Sequence, residues 1–149
     1  MGAELWMYFV PYQGDISKAL QELRNREFAA GRYYPVMMHL FKHMPIGPAS
    51  PALGARHASI QDAVNASDAT GTRSILDMQS VSDEPKLFAV CPLDTATLKA
   101  TFGTIRPTHE MVENNLAFVE DLERGEGVYA IIYKGDTPDE ILFAGYSFD

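Results

Sequence analysis

The sequence has a single cysteine, Cys91, among its 149 residues. One thiol cannot form an intrachain disulfide, and it cannot supply a cysteine-based zinc site. No apolar stretch approaches the ~18–20 residues that a membrane-spanning helix needs. The N-terminus carries Glu4 where a secretory signal would carry basic residues. These absences predict a soluble cytoplasmic protein that does not enter a membrane.

Basic residues are also scarce, with 12 Lys and Arg against 20 Asp and Glu and a formal net charge of −8. No run of Lys and Arg is present to form the local patch that a phosphate backbone requires. The composition therefore predicts that the chain does not bind nucleic acid. An acidic surface instead favours a basic protein partner.

Motifs that would identify a reaction are missing. The sequence contains no G-x-S-x-G elbow, no phosphate loop of the GxxxxGK type and no G-x-G-x-x-G dinucleotide fingerprint. It therefore predicts no cofactor, and it does not decide whether the protein is an enzyme.

The regular elements begin with residues 5–12, which are rich in aromatic and β-branched side chains and predict a strand. Both faces of this strand are apolar, which predicts a central position with cover on both sides. Asp15 as an N-cap and Gly31 as a left-handed C-cap predict a helix over residues 15–30.

The rest of the chain predicts further helices and strands. They are a short helix over 60–66 capped by Ser59, strands over 73–78 and 87–91, a helix from Asp94 to Gly103, a helix from Thr108 to Gly125, and a hairpin of strands 128–133 and 140–148. Helices are interspersed with hairpins, so we expect a single α+β domain with an antiparallel or mixed sheet of about five strands covered by helices. An exposed edge of the terminal hairpin would allow a homodimer by strand pairing, although Lys134 and nearby acids oppose uncontrolled pairing.

Residues 31–59, called here the long loop, connect two predicted helices. Pro35, Pro45, Pro48 and Pro51 exclude a long regular element. Connections of this length are usually functional or disordered, so a site is expected here. The apolar middle, residues 37–46, is expected to pack on the sheet or helices, and the polar ends are the part that would carry chemistry.

The candidate ligand-binding residues lie at the ends of the long loop and just beyond it. They are Arg32, Tyr33, Tyr34, Arg56, His57 and Arg73. Guanidinium groups bind carboxylate and phosphate bidentately, so this set suits an anionic ligand. The alternative is that the arginines pair with acids of the chain and tie the loop to the body of the domain.

The sequence contains residues for two other kinds of site, a metal site and a nucleophile with its base. His39 and His43 have the i,i+4 spacing of a metal site with His57 as a third ligand, but no glutamate stands between them and Lys42 would repel a cation, so no metal is predicted. Cys91 with His57 or His109 would form a nucleophile and base, but no family signature surrounds any of them.

Carboxylates form the remaining candidate sites. They are Asp77, Asp83 and Glu84, then Asp136, Asp139 and Glu140 at the hairpin, and Glu110, Glu113, Glu120, Asp121 and Glu123 as an acidic docking face of the helix from Thr108. The favoured function is a protein-interaction module of the inhibitor or immunity type that binds a basic partner. The alternative is a small-ligand-binding protein or enzyme with an Arg, Tyr and His pocket for an anionic ligand under the long loop.

Overall fold

The core of the fold is a mixed sheet, seen in a computed structural model that describes residues 3–40 and 46–148. Its strands are β1 (Leu5–Pro11), β2 (Ser80–Val81), β3 (Ala89–Pro92), β4 (Gly127–Lys134) and β5 (Thr137–Tyr146). The spatial order is β1-β5-β4-β3-β2, with β5 antiparallel to β1 and β4, and with β3 parallel to β4 and β2. The α+β class and the mixed five-stranded sheet are therefore confirmed.

The helices of the described chain are α1 (Ile16–Ala30), α2 (Ile60–Ser67), α3 (Thr95–Phe102) and α4 (His109–Asn114). Each begins at a side-chain cap that accepts a hydrogen bond from a backbone N–H three residues on, and the caps are Asp15, Ser59, Asp94 and Thr108. These four starts were predicted from the same residues, because the capping contact is local. In the described part of the chain, no helix has the length and apolar character needed to cross a membrane.

The helices cover both faces of the sheet. On one face Trp6 and Tyr8 of β1 pack with Leu20 and Leu23 of α1. On the other face, a second cluster joins the sheet to α4 and to the 3-10 helix Ala117–Val119. The fold is thus a layer of helices, a sheet and a second layer of helices.

The indole of Trp6 lies across two glycines on neighbouring strands. Trp6 is opposite Gly145 of β5, and Gly145 is opposite Gly127 of β4. A Cβ atom built on Gly145 would lie 2.5 Å from Trp6 Cζ2, and one on Gly127 would lie 2.9 Å from Trp6 Cη2. The bare backbone at these positions is what allows the ring to lie flat over the sheet.

The prediction of a central position for the first strand is wrong. Among the strands that the structure describes, β1 lies at the edge of the sheet and has β5 as its one neighbour. Its second face is covered by the layer that contains α4, where the ring of Phe9 stacks on that of His109 with centroids 3.8 Å apart. An apolar face indicates that other residues cover that face of the strand. It does not indicate how many strands lie beside it in the sheet.

The edges predicted for homodimer pairing are also occupied. Both edges of the β4–β5 hairpin are paired within the chain, with β1 on one side and β3 on the other. The hairpin turn is shorter than expected, because Lys134 pairs with Thr137 and only Gly135 and Asp136 lie between them. The open edges of the sheet belong to β1 and β2.

The strand predicted over 73–78 is wrong, because residues Ile75–Asp77 form a 3-10 helix. The Ser74 hydroxyl accepts a hydrogen bond from the backbone N–H of Leu76 at 3.2 Å, and the Asp77 carboxylate accepts one from that of Thr72 at 2.9 Å. Side-chain acceptors of this kind compete with a sheet ladder for backbone donors. The sheet still has five strands because β2, which was not predicted, follows this 3-10 helix in the chain.

The helix predicted from Thr108 to Gly125 is too long, because α4 ends at Asn114. Asn115 has an extended backbone, with φ −147° and ψ 101°. Its side-chain oxygen accepts from the N–H of Ala117 at 3.0 Å and its amide donates to the carbonyl of Thr101 at 3.0 Å. These bonds replace the helical ones, and the chain continues as a 3-10 helix.

The described parts of the long loop, residues 31–40 and 46–59, consist of turns and irregular backbone. Tyr34, Met37 and Ile46 are buried together in a small cluster of their own, whereas Met38 and Leu40 are exposed. The loop is fastened to α1 where the N–H of Gly54 donates to the carbonyl of Ala30 at 2.8 Å. Residues 41–45, which include His43, lie outside the described residues.

Candidate functional site

The two ends of the long loop meet at the hydroxyl of Tyr33. This buried oxygen lies 2.8 Å from Nδ1 of His57 and accepts a hydrogen bond from the backbone N–H of Arg56 at 3.2 Å. Three of the predicted ligand-binding residues are therefore in contact. These hydrogen bonds use polar groups of the three residues within the chain, and they hold the two ends of the long loop together.

Two of the three predicted arginines are paired with separate carboxylates, whereas Arg56 Nη1 donates to the carbonyls of Gly54 and Ala55, each at 3.3 Å. Arg32 donates to Glu27 at 2.9 Å, and Arg73 donates to Glu4 at 2.8 Å. The guanidinium group of Arg73 also lies over the ring of Tyr34, 4.6 Å from its centroid. These contacts are the ones that the tethering alternative describes. A site for an anionic ligand at these residues stays a prediction.

The pKa of Tyr34 is raised, first by burial and then by the charge of Glu4, while Arg73 acts in the opposite direction. The hydroxyl is therefore held in its neutral form. The neutral ring of Tyr34 can therefore pack beside Arg73, whose charge is paired with Glu4, and this contact holds the loop against the domain.

Metal-ligating groups do not gather in the part of the chain that the structure describes, where no three His, Cys, Asp or Glu side chains lie close enough to hold an ion. His39 is exposed, and His57 lies against Tyr33. His43, the other half of the predicted pair, is outside the described residues.

Cys91 is buried, and its surroundings disfavour the thiolate. Burial raises the pKa of the thiol, and the charges of Glu126 and Asp94 raise it further. A thiol held in its protonated form is a weak nucleophile. The two predicted bases are engaged elsewhere, His57 with Tyr33 and His109 with Glu140.

A groove of about 340 Å³ lies beside Cys91, between the end of β3, the start of α3 and the 3-10 helix Ala117–Val119. Its floor is apolar and includes the buried side chains of Phe118 and Val128. Its rim carries four exposed carboxylates, which are Asp83, Glu84, Asp94 and Asp121. We call this feature the acidic groove.

The negative charge of the acidic groove is not neutralised within the described residues, where no ion pair involves any of the four rim carboxylates. Asp94 Oδ1 also accepts a hydrogen bond from the backbone N–H of Thr97 at 2.6 Å. This bond lowers the pKa of the Asp94 carboxyl. The groove therefore presents charge of one sign around an apolar floor.

Sequence reasoning found only part of this groove. The sequence predicts acidic sites at Asp83, Glu84 and Asp121, but at Asp94 it predicts only a helix cap. Asp77, grouped with Asp83 and Glu84 by sequence, is buried on a separate cavity. The rim residues converge because β3 pairs with both β2 and β4, and no local pattern reports that pairing.

Two of the hairpin acids contact basic side chains, Asp136 on the surface and Glu140 in a partly buried position. Asp136 accepts from Arg106 at 3.3 Å, and Glu140 lies 2.7 Å from Nδ1 of His109. The other ring nitrogen of His109 contacts Glu113. Partial burial lowers the pKa of His109, but the hydrogen bonds and charges of Glu140 and Glu113 outweigh it, so the pKa is raised.

His109→Gln is expected to reduce stability in acid more than in base. The pKa of the folded histidine lies above its ordinary value of 6.5, so its contribution is present in full below that value. The contribution is lost as pH rises through the raised pKa, where the proton leaves. Urea unfolding of both proteins between about pH 5.5 and 9 measures the difference. His39→Gln removes an exposed imidazole elsewhere and is the control, and a gap that widens with pH would contradict the prediction.

Comparisons of the chain with protein-family models, with curated proteins and with solved structures found no match in any of the three. Function is therefore inferred from the geometry and charge of the acidic groove.

Proposed function

We propose that the protein is a binding module that recognises a basic protein partner through the acidic groove. The observation that carries the proposal is the combination of four unneutralised carboxylates with a concave apolar floor. The net charge of −8 supports it, because a field of one sign steers an oppositely charged partner toward the surface.

The groove suits one lysine or arginine side chain of the partner. Such a side chain has an apolar stem and a charged head. The stem would lie on Phe118, Leu122 and Val128, and the head would face the rim carboxylates. Charge complementarity of this kind raises the association rate and disfavours acidic competitors. An inhibitor or immunity-type protein that acts on a basic enzyme would use such a surface.

The pocket for an anionic ligand at the loop ends is the second candidate. Arg32 and Arg73 already bind Glu27 and Glu4, so an anion there would have to compete with both carboxylates. The acidic groove requires no such displacement, and we therefore place it first.

A titration with matched peptides tests the groove. The ligands are an acetylated and amidated Gly-Lys-Gly peptide and its norleucine analogue, which has a similar apolar chain without the charge. Backbone amide shifts are recorded by NMR at about 50 and 300 mM salt. We expect shifts at Cys91, Phe118 and Leu122 with the lysine peptide alone, and weaker binding at the higher salt concentration.

Charge reversal supplies the controls. Asp83→Lys with Asp121→Lys is expected to weaken lysine peptide binding by about tenfold or more. Glu110→Lys with Asp139→Lys makes the same change of charge at exposed positions away from the groove and should preserve most of the binding. Equal effects of the two double variants, or equal shifts with the norleucine peptide, would contradict the proposal.

A further inference from the structure

A second cavity, of about 330 Å³, lies between the end of α2 and the 3-10 helix Ile75–Asp77, and it shares no lining residue with the acidic groove. Its volume is in the range of small-molecule sites, which begin at about 300 Å³. Asp77 lines it together with Asp68 near the end of α2, and these two carboxylates are the only titratable side chains of its described lining. We call it the Asp77 cavity.

Asp77 is a buried carboxylate whose described hydrogen bonds come from the residues just before it in the chain. Its Oδ1 accepts from the hydroxyl of Thr72 at 2.7 Å and from the N–H of Thr72 at 2.9 Å. Its Oδ2 has a longer contact with the same N–H, at 3.2 Å, and the carboxylate also accepts a hydrogen bond from the backbone N–H of Arg73. A Cβ atom built on Gly71, which also lines the cavity, would lie 2.8 Å from Oδ2. The cavity wall thus places Oδ2 beside bare backbone.

Burial raises the pKa of Asp77, while the hydrogen bonds from Thr72, the hydrogen bond from the backbone N–H of Arg73 and the charge of Arg24 lower it. A buried carboxylate gains from a cationic ligand, because an opposite charge offsets the cost of burying its own.

Two aromatic side chains also line the cavity. Phe88 and Phe148 stack with ring centroids 5.9 Å apart, and they are 39% and 43% exposed. Large apolar side chains that remain accessible beside a concave site are available to pack against an apolar ligand.

Residues with an unfavourable positive φ lie at or near this cavity. The non-glycine residues with positive φ in the described chain are Asp68 at 52°, Arg73 at 54° and Phe88 at 62°. Asp68 and Phe88 line the cavity, and Arg73 follows the residue that binds Asp77. Such conformations are unfavourable for residues with a Cβ, and they concentrate at functional sites.

We propose that the Asp77 cavity binds a small aromatic amine, with the protonated amine at the carboxylates of Asp77 and Asp68 and the ring against Phe88 and Phe148. The carboxylates select a cation over an anion, and the paired rings select a flat apolar body. This site does not depend on the proposed recognition of a basic protein, because it uses different residues.

Two ligands matched in size and opposite in charge test the site. Phenethylamine and 3-phenylpropionate carry the same ring on a short chain, one with an ammonium group and the other with a carboxylate. Amide shifts of the full chain are followed by NMR during each titration. We expect shifts at Gly71, Gln79 and Phe88 with phenethylamine, a dissociation constant of about 1 mM, and at least about tenfold weaker binding of 3-phenylpropionate.

Variants connect the binding to the cavity. Ala69→Trp places a large ring on an exposed lining position and should abolish the shifts, whereas Ala66→Trp on an exposed position of α2 outside the lining should preserve them. Asp77→Asn retains an acceptor for Thr72 and should weaken amine binding by about tenfold. Equal binding of the two ligands, binding that survives Ala69→Trp, or shifts confined to other residues would overturn the proposal. If Asp77→Asn fails to fold, the Ala69 and Ala66 variants still decide it.

Discussion

Gly145→Ala is expected to destabilise the protein by about 3 kcal/mol, the upper part of the range for overpacked sites. The new Cβ would lie 2.5 Å from Trp6 Cζ2 and 2.6 Å from the backbone oxygen of Glu126. The indole is buried and the second contact is with backbone, so neither can move far without disturbing the sheet. Because a domain is stable by only about 5–15 kcal/mol, this loss is a large fraction of the total.

Urea unfolding measures the effect, and the midpoint should fall by about 1–2 M. Gly14→Ala is the matched control, because a Cβ at Gly14 has no atom within 4 Å, and its effect should be within about 0.5 kcal/mol. In a Trp6→Leu background the additional cost of Gly145→Ala should be smaller, since the ring that it meets has been removed. A full additional cost in that background would show that the indole is not the obstacle.

Arg32→Gln is expected to cost about 2–4 kcal/mol, because it leaves the carboxylate of Glu27 buried beside a weaker partner. The side chain of Glu27 is fully buried, and Arg32 donates to its Oε2 at 2.9 Å. Oε1 of Glu27 has no hydrogen-bond partner among the described residues, so after the substitution the partly exposed Arg26 is left as the cation that contacts the carboxylate.

Arg26→Gln is the matched control for this prediction. Arg26 contacts the same oxygen at 3.2 Å, but its side chain is 45% exposed against 18% for Arg32. Exposed ion pairs contribute about 0–1 kcal/mol, so this variant should unfold close to the wild-type urea midpoint. Adding Glu27→Gln to Arg32→Gln removes the buried charge and should recover part of the loss. Equal costs for Arg26→Gln and Arg32→Gln would contradict the assignment of Arg32 as the main partner.

The helix starts at Asp15, Ser59, Asp94 and Thr108 were predictable, because a cap binds a backbone group only three residues away. The assignment of side chains to the two apolar faces of β1 was also predictable, because alternation along a strand is a local property. The predicted helix end and the predicted strand over 73–78 were wrong near Asn115 and Thr72. At these residues side chains bind backbone groups or other side chains, and the periodicity of apolar residues contains no sign of such bonds.

Among the candidate functional sites, too, the sequence predicted those built from residues close together in the chain and missed those built from separate elements. Sequence reasoning identified the polar loop ends, and Tyr33 does bring them together. It did not identify either concave feature, because the acidic groove and the Asp77 cavity collect residues from separate elements. The unusual backbone at Phe88 has no sequence signal, since a positive φ is unexpected for phenylalanine.

The pairing of β1 with β5 alone has a consequence for synthesis of the chain. Glu4 and Ser147, which are 143 residues apart, exchange hydrogen bonds of 2.8 Å and 2.9 Å at the end of this pair. Among the described strands, β1 therefore has no native partner during translation until β5 has left the ribosome. Such distant contacts slow folding because a long stretch of chain must be ordered before they form. Until then the apolar strand stays available to chaperones and to wrong partners.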